Sequence, residues 1–414
     1  VFMKVFDYIC KSPKFKYFFK HPTDNILFFD IETTGLSPNA SSLYMIGVMF
    51  FDNSDGNWHL KQFFADNYKS EADMINSFLD ILEDYDYLYH FNGKTFDIPY
   101  VLNKCSKHSI SLSEHCDNIL NDKENSFSID ILAGIRPVKK MLGLTKANQT
   151  ALEKWLGIIR DDKFDGGKLI PVYTDFMQKK ILAPEKAEEL EKILLLHNYE
   201  DIENMLNVAS IMSYNDISTL TPFSDDETIF SGYSKHFDIT EITIDDDGML
   251  NISCSFPELI FPKSLETSIT FPESNSEEYK YTDDMQIVFE SDTILLKVPI
   301  LSGVLYNYIK NYKDYYYFSD KDTALHKSVA AYMDKKYRKK ATATTCYTKK
   351  QGYFIPTLKT CKKNKADTNN IFTEYKLSLR DKISFYNIDT IPTLETANKS
   401  NGFWKNYVCM QLRF

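Results

Sequence analysis

The sequence predicts a layered α/β domain followed by a separate α+β domain. The first observation is three apolar runs divided by turn residues, typical of three strands in a meander. These predicted strands are Ile26 to Phe29, Leu43 to Phe51 and Trp58 to Phe64. The second observation is a short strand pattern at Tyr87 to Phe91 between helical patterns at Met74 to Leu82 and Ile98 to Cys105. Strands that alternate with helices predict an α/β fold.

The length of 414 residues exceeds what one hydrophobic core usually serves, which predicts two domains. A helical pattern opens at Pro184 and continues, as one long helix or two in succession, to Met212. The polar stretch after Tyr214 predicts a linker. The predicted organisation is an N-terminal extension (1–24), an α/β domain (25–214), a linker (215–232) and an α+β domain (233–414).

The second predicted domain opens with strands. Two hairpins are predicted around short polar turns, at 239–244 with 249–256 and at 285–289 with 294–298. Helices are predicted at Val304 to Tyr312 and around Thr323 to Tyr332.

Composition places the chain among soluble globular proteins, with 43% hydrophobic and 26% charged residues. The seven cysteines are scattered and form no C-x-x-C pair, so we expect neither disulfides nor a zinc site, and a reducing cytoplasm. No apolar run reaches eighteen residues, which predicts that the chain neither crosses a membrane nor binds one.

Charge is distributed unevenly along the chain. The net charge of −10 taken alone opposes a nucleic-acid partner. Residues 321–365, however, carry thirteen Lys or Arg against two Asp, which leaves the rest of the chain at −21. Cations interleaved with tyrosines suit contacts to a nucleic-acid backbone, although a solvated surface is an equal alternative. The predicted contacts are Lys335, Lys336, Arg338, Lys339 and Lys340.

Asp30 and Glu32 end the first apolar strand. Residues i and i+2 of a strand point the same way, so both carboxylates face one spot. Such a pair repels itself unless a cation lies between the groups, and oxygen-rich sites suit Mg²⁺ or Mn²⁺. The alternative is a solvated strand end.

Two further segments carry acids. Asp97 follows a buried strand and a glycine turn, where its alternative role is a helix N-cap ahead of Pro99. His197 and Asp201 are four residues apart in the late helical pattern, which puts them on one face. The alternatives are an ordinary helix-surface pair and a partly buried histidine that is satisfied locally.

The three segments occur in a familiar order. The series D-I-E-T-T-G, F-N-G-K-x-F-D and H-N-x-x-D resembles the motifs of DnaQ-like (DEDD) 3′–5′ exonucleases. Ser128 to Leu132, Leu152 to Gly157 and Asp165 to Pro171 are similar to the middle section of the YprB-type ribonuclease-H-like family. The resemblance covers Asn25 to Tyr214 and implies a ribonuclease-H-like mixed sheet flanked by helices. One departure from the proofreading type concerns His197. It lies four residues before Asp201, and proofreading-type members with this spacing carry tyrosine at that position.

The resemblance also implies a mechanism with two divalent ions, Mg²⁺ or Mn²⁺. Asp30 would bind both ions, Glu32 and Asp201 would complete the ion on the nucleophile side, and Asp97 would bind the second. His197 would take the proton of the attacking water. A nucleoside 5′-monophosphate would leave. Residues expected to contact the terminal nucleotide are Thr33, Thr34, Gly35, Asn92 and Phe96, for which local turn chemistry and core packing are equal alternatives.

The predicted function is therefore a 3′–5′ exonuclease acting on DNA, in repair or processing and alongside a helicase, as the resemblance implies. An RNA exonuclease is the next candidate, because no motif reports on the 2′-hydroxyl. A candidate of another class is a nucleic-acid-binding adaptor without catalysis, against which the presence of all four acids counts.

Overall fold

The computed structural model describes residues 3–164, 166–220, 237–272, 281, 283–357, 373–391 and 400–412. The chain divides into two compact units, residues 1–216 with 259–262 and residues 217–258 with 263–414. Most of the predicted linker, 221–232, lies outside the described residues.

The first unit is built on a six-stranded mixed sheet in the order β1-β4-β3-β2-β5-β6. Its strands are β1 (Lys4–Ile9), β2 (Ile26–Thr33), β3 (Leu43–Asp52), β4 (Asn57–Phe64), β5 (Tyr87–His90) and β6 (Ser128–Asp130). β5 pairs parallel with β2 and with β6, and the other pairs are antiparallel. The predicted meander is thus the central part of this sheet.

Eight α-helices of the first unit are described. They are α1 (Glu71–Leu82), α2 (Asp97–His108), α3 (Glu114–Leu120), α4 (Ile131–Ile135), α5 (Gln149–Leu156), α6 (Gly166–Leu182), α7 (Pro184–Ala209) and α8 (Ser213–Asp216). A mixed sheet flanked by helices confirms the predicted class of this unit. No helix in the described stretches combines the length and the apolar character that crossing a bilayer requires.

The central strand β2 is covered on both faces, which explains its nearly continuous apolar sequence. Phe29 stacks on Phe78 of α1 with ring centroids 4.6 Å apart. Asp30, the next residue, is hydrogen-bonded to Asn198 of α7. Because successive strand residues point to opposite faces, α1 and α7 lie on opposite sides of the sheet.

Helix α7 begins with Pro184 at its first turn and runs for 26 residues as a single helix. It packs closely on the sheet at Gly47, which is paired in register with Asp30. A Cβ atom at Gly47 would overlap the side chains of Ile202 and Asn198. The missing side chain therefore lets α7 approach the strand that carries Asp30.

The sheet starts earlier in the chain than residue 25, the predicted start of the α/β domain. β1 pairs antiparallel with β4 over its whole length, and Lys4 Nζ lies 2.5 Å from Glu191 Oε1 of α7. Part of the predicted N-terminal extension is thus an edge strand of the first unit. Strand pairing and burial of one face outweigh the mixed polar and aromatic composition of this segment.

The second unit consists mainly of antiparallel strands. These are β7 (Asp238–Ile244), β8 (Met249–Ser255), β9 (Leu265–Thr270), β10 (Asp284–Glu290), β11 (Thr293–Pro299), β12 (Leu301–Tyr308), β13 (Tyr315–Phe318), β14 (Thr323–His326), β15 (Arg338–Lys340), β16 (Tyr347–Thr357), β17 (Glu374–Tyr375) and β18 (Ser384–Asn387). They form three sheets, ordered β7-β8-β11-β10-β9, β12-β16-β18-β17 and β14-β13-β15. The helices described here are α9 (Lys327–Ala330) and α10 (Ser400–Gln411).

The prediction of a separate C-terminal unit with sheet and helix is confirmed, and so are both hairpins, β7 with β8 and β10 with β11. The helix predicted at 304–312 is wrong, because β12 occupies 301–308 and pairs with β16. The one predicted at 323–332 is mostly wrong, because a strand precedes the single turn α9. Valine and tyrosine favour strands, and cross-strand pairing outweighs the apparent helical spacing.

The contact at Gly47 yields a test of the packing of α7. Gly47→Ala adds a methyl group where Ile202 and Asn198 already lie, so we expect the free energy of unfolding to fall by about 1–3 kcal/mol. Denaturant unfolding measures this. Gly303→Ala is the matched control in a strand, since its nearest neighbour there is Leu305 Cδ1 at 4.0 Å. Equal, small effects of both substitutions would contradict the tight packing.

Candidate active site

Asp30 and Glu32 project from the face of β2 that α7 covers. Asn198 donates a hydrogen bond from Nδ2 to Asp30 Oδ2 at 2.9 Å, and Gln62 of β4 donates from Nε2 to Asn198 Oδ1 at 2.9 Å. Both amide side chains are fully buried. The relay of hydrogen bonds therefore fixes the orientation of the Asp30 carboxylate.

His197 and Asp201 lie one turn apart on α7. His197 Nε2 is 3.2 Å from Asp201 Oδ2 and 3.5 Å from Glu32 Oε1. One ligand atom of each of these three residues lies within 4.8 Å of those of the other two. Residues that are far apart in the sequence thus meet where the helix covers the strand.

Asp97 reaches the same strand from α2. It is the first residue of the helix, and Phe96 rather than Asp97 occupies the N-cap position, so the alternative N-cap role is wrong. The backbone N–H groups of Asp97 itself and of Ile31 act to lower the pKa of the Asp97 carboxyl, although burial raises it by more. Ile31 lies between Asp30 and Glu32, which ties the third acid to the strand that carries the first two.

The acids lie in a strongly perturbing environment. Burial, together with the charges of Asp97, Asp201 and Glu32, raises the pKa of Asp30 well above its usual range. Burial raises the pKa of Glu32 to about 8, although His197 opposes the shift, and it raises the pKa of Asp97 to about 7. Loss of hydration accounts for most of each shift, and the neighbouring carboxylates add to it.

The pKa of His197 shifts in the direction opposite to the one that burial alone would cause. Burial alone would lower its pKa, but the carboxylates of Glu32, Asp201 and Asp162 outweigh it and raise the pKa above its ordinary value. An excess of negative charge around a histidine indicates that the cluster attracts cations.

The donor set fits a divalent cation of the hard type. Carboxylate oxygens are the ligands that Mg²⁺ and Mn²⁺ prefer, and Glu32, His197 and Asp201 already have their donor atoms at ligand spacing. Burial is the main cause of the raised pKa values of Asp30 and Glu32, and a cation between the acids would stabilise their charged forms and relieve the repulsion among them.

The acids and the histidine open into a cleft of about 920 Å³. Four of the five residues expected at the terminal nucleotide line it, namely Thr33, Gly35, Asn92 and Phe96. Thr34 is not among the lining residues, and its Oγ1 accepts a hydrogen bond from Ser42 N at 2.8 Å. Local turn chemistry therefore occupies the Thr34 side chain.

Asp162 is part of the site although no sequence signal indicated it. Its Oδ2 is 2.7 Å from His197 Nδ1. The loop that carries Asp162 is held by Glu200 of α7, whose carboxylate accepts from Asp161 N at 2.9 Å and from Asp162 N at 3.0 Å. An Nδ1–H bond to Asp162 leaves Nε2 of a neutral His197 as the acceptor nitrogen.

Arg160 is a second residue of the site that no sequence motif indicated. Its Nη2 lies 2.5 Å from Asp201 Oδ1, and the same guanidinium is paired with the buried carboxylate of Glu153 on α5. Gln149 donates from Nε2 to the Asp201 backbone oxygen at 2.5 Å. Asp201 is thus oriented through both its side chain and its backbone, by residues that are distant in the sequence.

The predicted backbone contacts of the basic segment belong to the second unit. Lys335, Lys336, Lys339 and Lys340 are exposed. Arg338 is engaged, because its guanidinium lies 5.0 Å from the Tyr316 ring centroid and Nη1 donates to Ala330 O at 2.7 Å. Nucleic-acid binding by this segment stays a prediction.

A protein-family model described as the RNase_H superfamily matches residues 27–213, slightly less than half of the chain. The match covers strands β2 to β6 apart from Ile26, helices α1 to α7 and all the residues that line the cleft. The first unit therefore has a ribonuclease-H-like nuclease fold, as the sequence analysis predicts.

Individual proteins resemble shorter parts of the chain. DNA polymerase 1 of Sulfurisphaera ohwakuensis is 38% identical over 59 residues, which are 14% of this chain and 7% of that protein. The structure of the family B DNA polymerase from Pyrobaculum calidifontis is similar with 17% identity and a TM-score of 0.35, over 47% of this chain and 26% of that one. The structure of E. coli exonuclease I in complex with a dT13 oligonucleotide has 14% identity and a TM-score of 0.27, over 40% and 42%.

The repulsion among the acids can be tested through stability. Asp30→Asn removes a carboxyl group whose ionised form the site disfavours, and its amide oxygen can still accept from Asn198, so we expect its melting temperature in metal-free buffer to exceed that of the wild type. Adding Mn²⁺ should raise the melting temperature of the wild type more than that of the variant. At a Mn²⁺ concentration of 100 times its Kd, binding should stabilise the folded wild type by about 2.7 kcal/mol.

Thermal unfolding with and without a chelator gives both quantities. Asp80→Asn, at an exposed position of α1, is the control and should behave like the wild type. A variant that is less stable than the wild type without metal, or that gains equally from Mn²⁺, would contradict a cation site at Asp30.

Proposed function

We propose that the chain is a metal-dependent 3′–5′ exonuclease that hydrolyses phosphodiester bonds of DNA. The observation that carries the proposal is the convergence of Asp30, Glu32, Asp97, His197 and Asp201 in one cleft of a ribonuclease-H-like unit. The order of their motifs, which resembles the DnaQ-like and YprB-type families, supports the 3′–5′ polarity. The match with DNA polymerase 1 of Sulfurisphaera ohwakuensis covers only 7% of that protein, so the proposal does not rest on its activity.

The proposed metal ligands are the four acids. Asp30 would be shared between two ions, Glu32 and Asp201 would complete one, and Asp97 would hold the other. When bound, Mg²⁺ or Mn²⁺ ions supply activation of water and stabilisation of the departing 3′ oxygen.

The protein side chains supply orientation and proton transfer. In its neutral form His197, with Nδ1–H held by Asp162, presents Nε2 to accept the proton of an attacking water. The same nitrogen lies at ligand spacing from Glu32 and Asp201, so it faces the place where hydrolysis would occur. Asn198 holds Asp30 and Arg160 holds Asp201, which keeps both acids in position before substrate arrives.

The terminal nucleotide is proposed to lie against Thr33, Gly35, Asn92 and Phe96, which line the cleft beside the acids. Contacts with the 2′-hydroxyl decide between DNA and RNA. DNA is the proposed substrate, as the resemblance implies, and RNA is the alternative. A role in repair alongside a helicase stays a prediction of that resemblance. A catalytically inactive adaptor is disfavoured, because all four acids are present in the sequence and Asn198 is hydrogen-bonded to Asp30.

The direct test uses single-stranded DNA and RNA labelled at either end, incubated with Mg²⁺ or Mn²⁺. We expect the 3′-labelled strand to release labelled mononucleotide at once and the 5′-labelled strand to shorten stepwise. Asp30→Asn should lower the rate by about 100-fold or more, since mutation of even the hydrogen-bond partners of metal ligands typically lowers metal affinity or activity about 10–100-fold.

Asp80→Asn is again the matched control and should retain wild-type activity. Failure of the wild type to release mononucleotides from any substrate would overturn the exonuclease proposal. Internal cuts on a circular strand would favour an endonuclease instead, and equal activity of Asp30→Asn would assign the activity to a contaminant.

The role of Asp162 gives a separate prediction. Asp162→Ala leaves the Nδ1 atom of His197 without its acceptor, so we expect kcat to fall about 10–100-fold with KM little changed. Asp162→Asn, whose amide oxygen can still accept from Nδ1, should restore part of the loss. Steady-state kinetics on the preferred substrate separate kcat from KM. An unchanged kcat in Asp162→Ala would show that His197 needs no partner.

A further inference from the structure

The cleft that holds the acids also exposes two cations. Among its lining residues, the lysine and arginine side chains are those of Lys139 and Arg136. Neither of them forms a salt bridge within the described part of the chain, whereas nearby Arg160 is bound to Asp201 and Glu153. Two cations without carboxylate partners beside an acidic centre remain available to an anionic ligand.

Arg136 is held in place by a chain of contacts. Asp130 caps α4 by accepting from Leu132 N at 3.0 Å, and it also accepts from Asn92 N at 2.9 Å. Asn92 adopts a left-handed backbone conformation with φ of 62°, and its Oδ1 accepts from Arg136 Nη2 at 3.5 Å. The guanidinium therefore lies beside a residue of the loop that leads to Asp97.

Lys139 lies on the same side of the chain as Arg136. Arg136 opens a 3-10 turn that ends at Val138, and side chains three residues apart eclipse each other in such a turn. Ile135 and Val138 are fully buried and anchor the turn. The two cations are thus presented together on a segment fixed to the core.

We infer that Arg136 and Lys139 form a phosphate-binding subsite for the strand whose 3′ end lies at the acids. This inference rests on the proposed function and extends it by naming the groups that bind the phosphates preceding the terminal nucleotide. The guanidinium group of arginine can donate two parallel hydrogen bonds to phosphate oxygens, and lysine adds a localised positive charge. A chain with a net charge of −10 needs such local positive potential to retain a polyanion next to four carboxylates.

The test compares two double variants of equal charge. Arg136→Gln with Lys139→Gln neutralises the subsite, and Lys140→Gln with Lys146→Gln neutralises exposed lysines of the same segment that do not line the cleft. Binding of a 5′-fluorescein single-stranded DNA is followed by anisotropy in chelator, over a range of salt concentrations. The same variants are assayed for KM with Mg²⁺.

For the subsite variant we expect the Kd and the KM to rise about 10-fold or more, because a charged hydrogen bond to phosphate contributes at least that factor. The slope of log Kd against log salt should decrease by about 1.4, since each single-strand phosphate contact contributes about 0.7. The control pair should change the slope much less. Arg136→Lys with Lys139→Arg, which keeps both charges, should restore the slope.

An unchanged slope in the subsite variant, or an equal decrease in the control pair, would overturn the subsite. A wild type that neither binds nor degrades nucleic acid would overturn the proposed function itself. A wild type that degrades DNA while the subsite variant keeps its salt dependence would overturn the subsite alone.

Discussion

The contact between α7 and the central strand is the constraint on which the site depends. Gly47 has no side chain, so the helix comes close enough for Asn198 to reach Asp30, the residue paired with that glycine. Gln62 fixes the Asn198 amide from the opposite side. Without this approach, the acids of the strand and those of the helix would belong to separate surfaces.

A single stretch of α7 then serves several purposes. His197 and Asp201 face the acids of β2, Asn198 orients Asp30, and Glu200 holds the loop of Asp162. Helical periodicity explains the division, because residues three and four apart share a face while their neighbours point to the flanking elements. The short motif H-N-x-E-D therefore encodes both a reactive group and much of its support.

The clustered carboxylates carry an energetic cost that a ligand can offset. Burial raises the pKa values of Asp30, Glu32 and Asp97, which means that the charged form is disfavoured where it is needed. Functional sites commonly retain such perturbed groups. Arg160 offsets part of the charge at Asp201, and the rest favours cations at the centre of the cleft.

Sequence patterns anticipated the elements whose apolar periodicity is strong, including the meander, the strand at 87–90 and the long helix. They also indicated the acids, because strand and helix spacing determine which side chains share a face. They missed Asp162 and Arg160, which contact His197 and Asp201 from a loop that no local pattern specifies. The helix expected at 304–312 was wrong for a related reason, since pairing of β12 with β16 is a non-local interaction.

The central claim is that the four acids bind divalent cations, and anomalous diffraction from crystals soaked in Mn²⁺ tests it most directly. We expect manganese peaks within ligand distance of Asp30, Glu32, Asp97 and Asp201, with Asp30 contacting both ions if two are present. Manganese bound elsewhere, with these carboxylates bonded only to water and to each other, would contradict it.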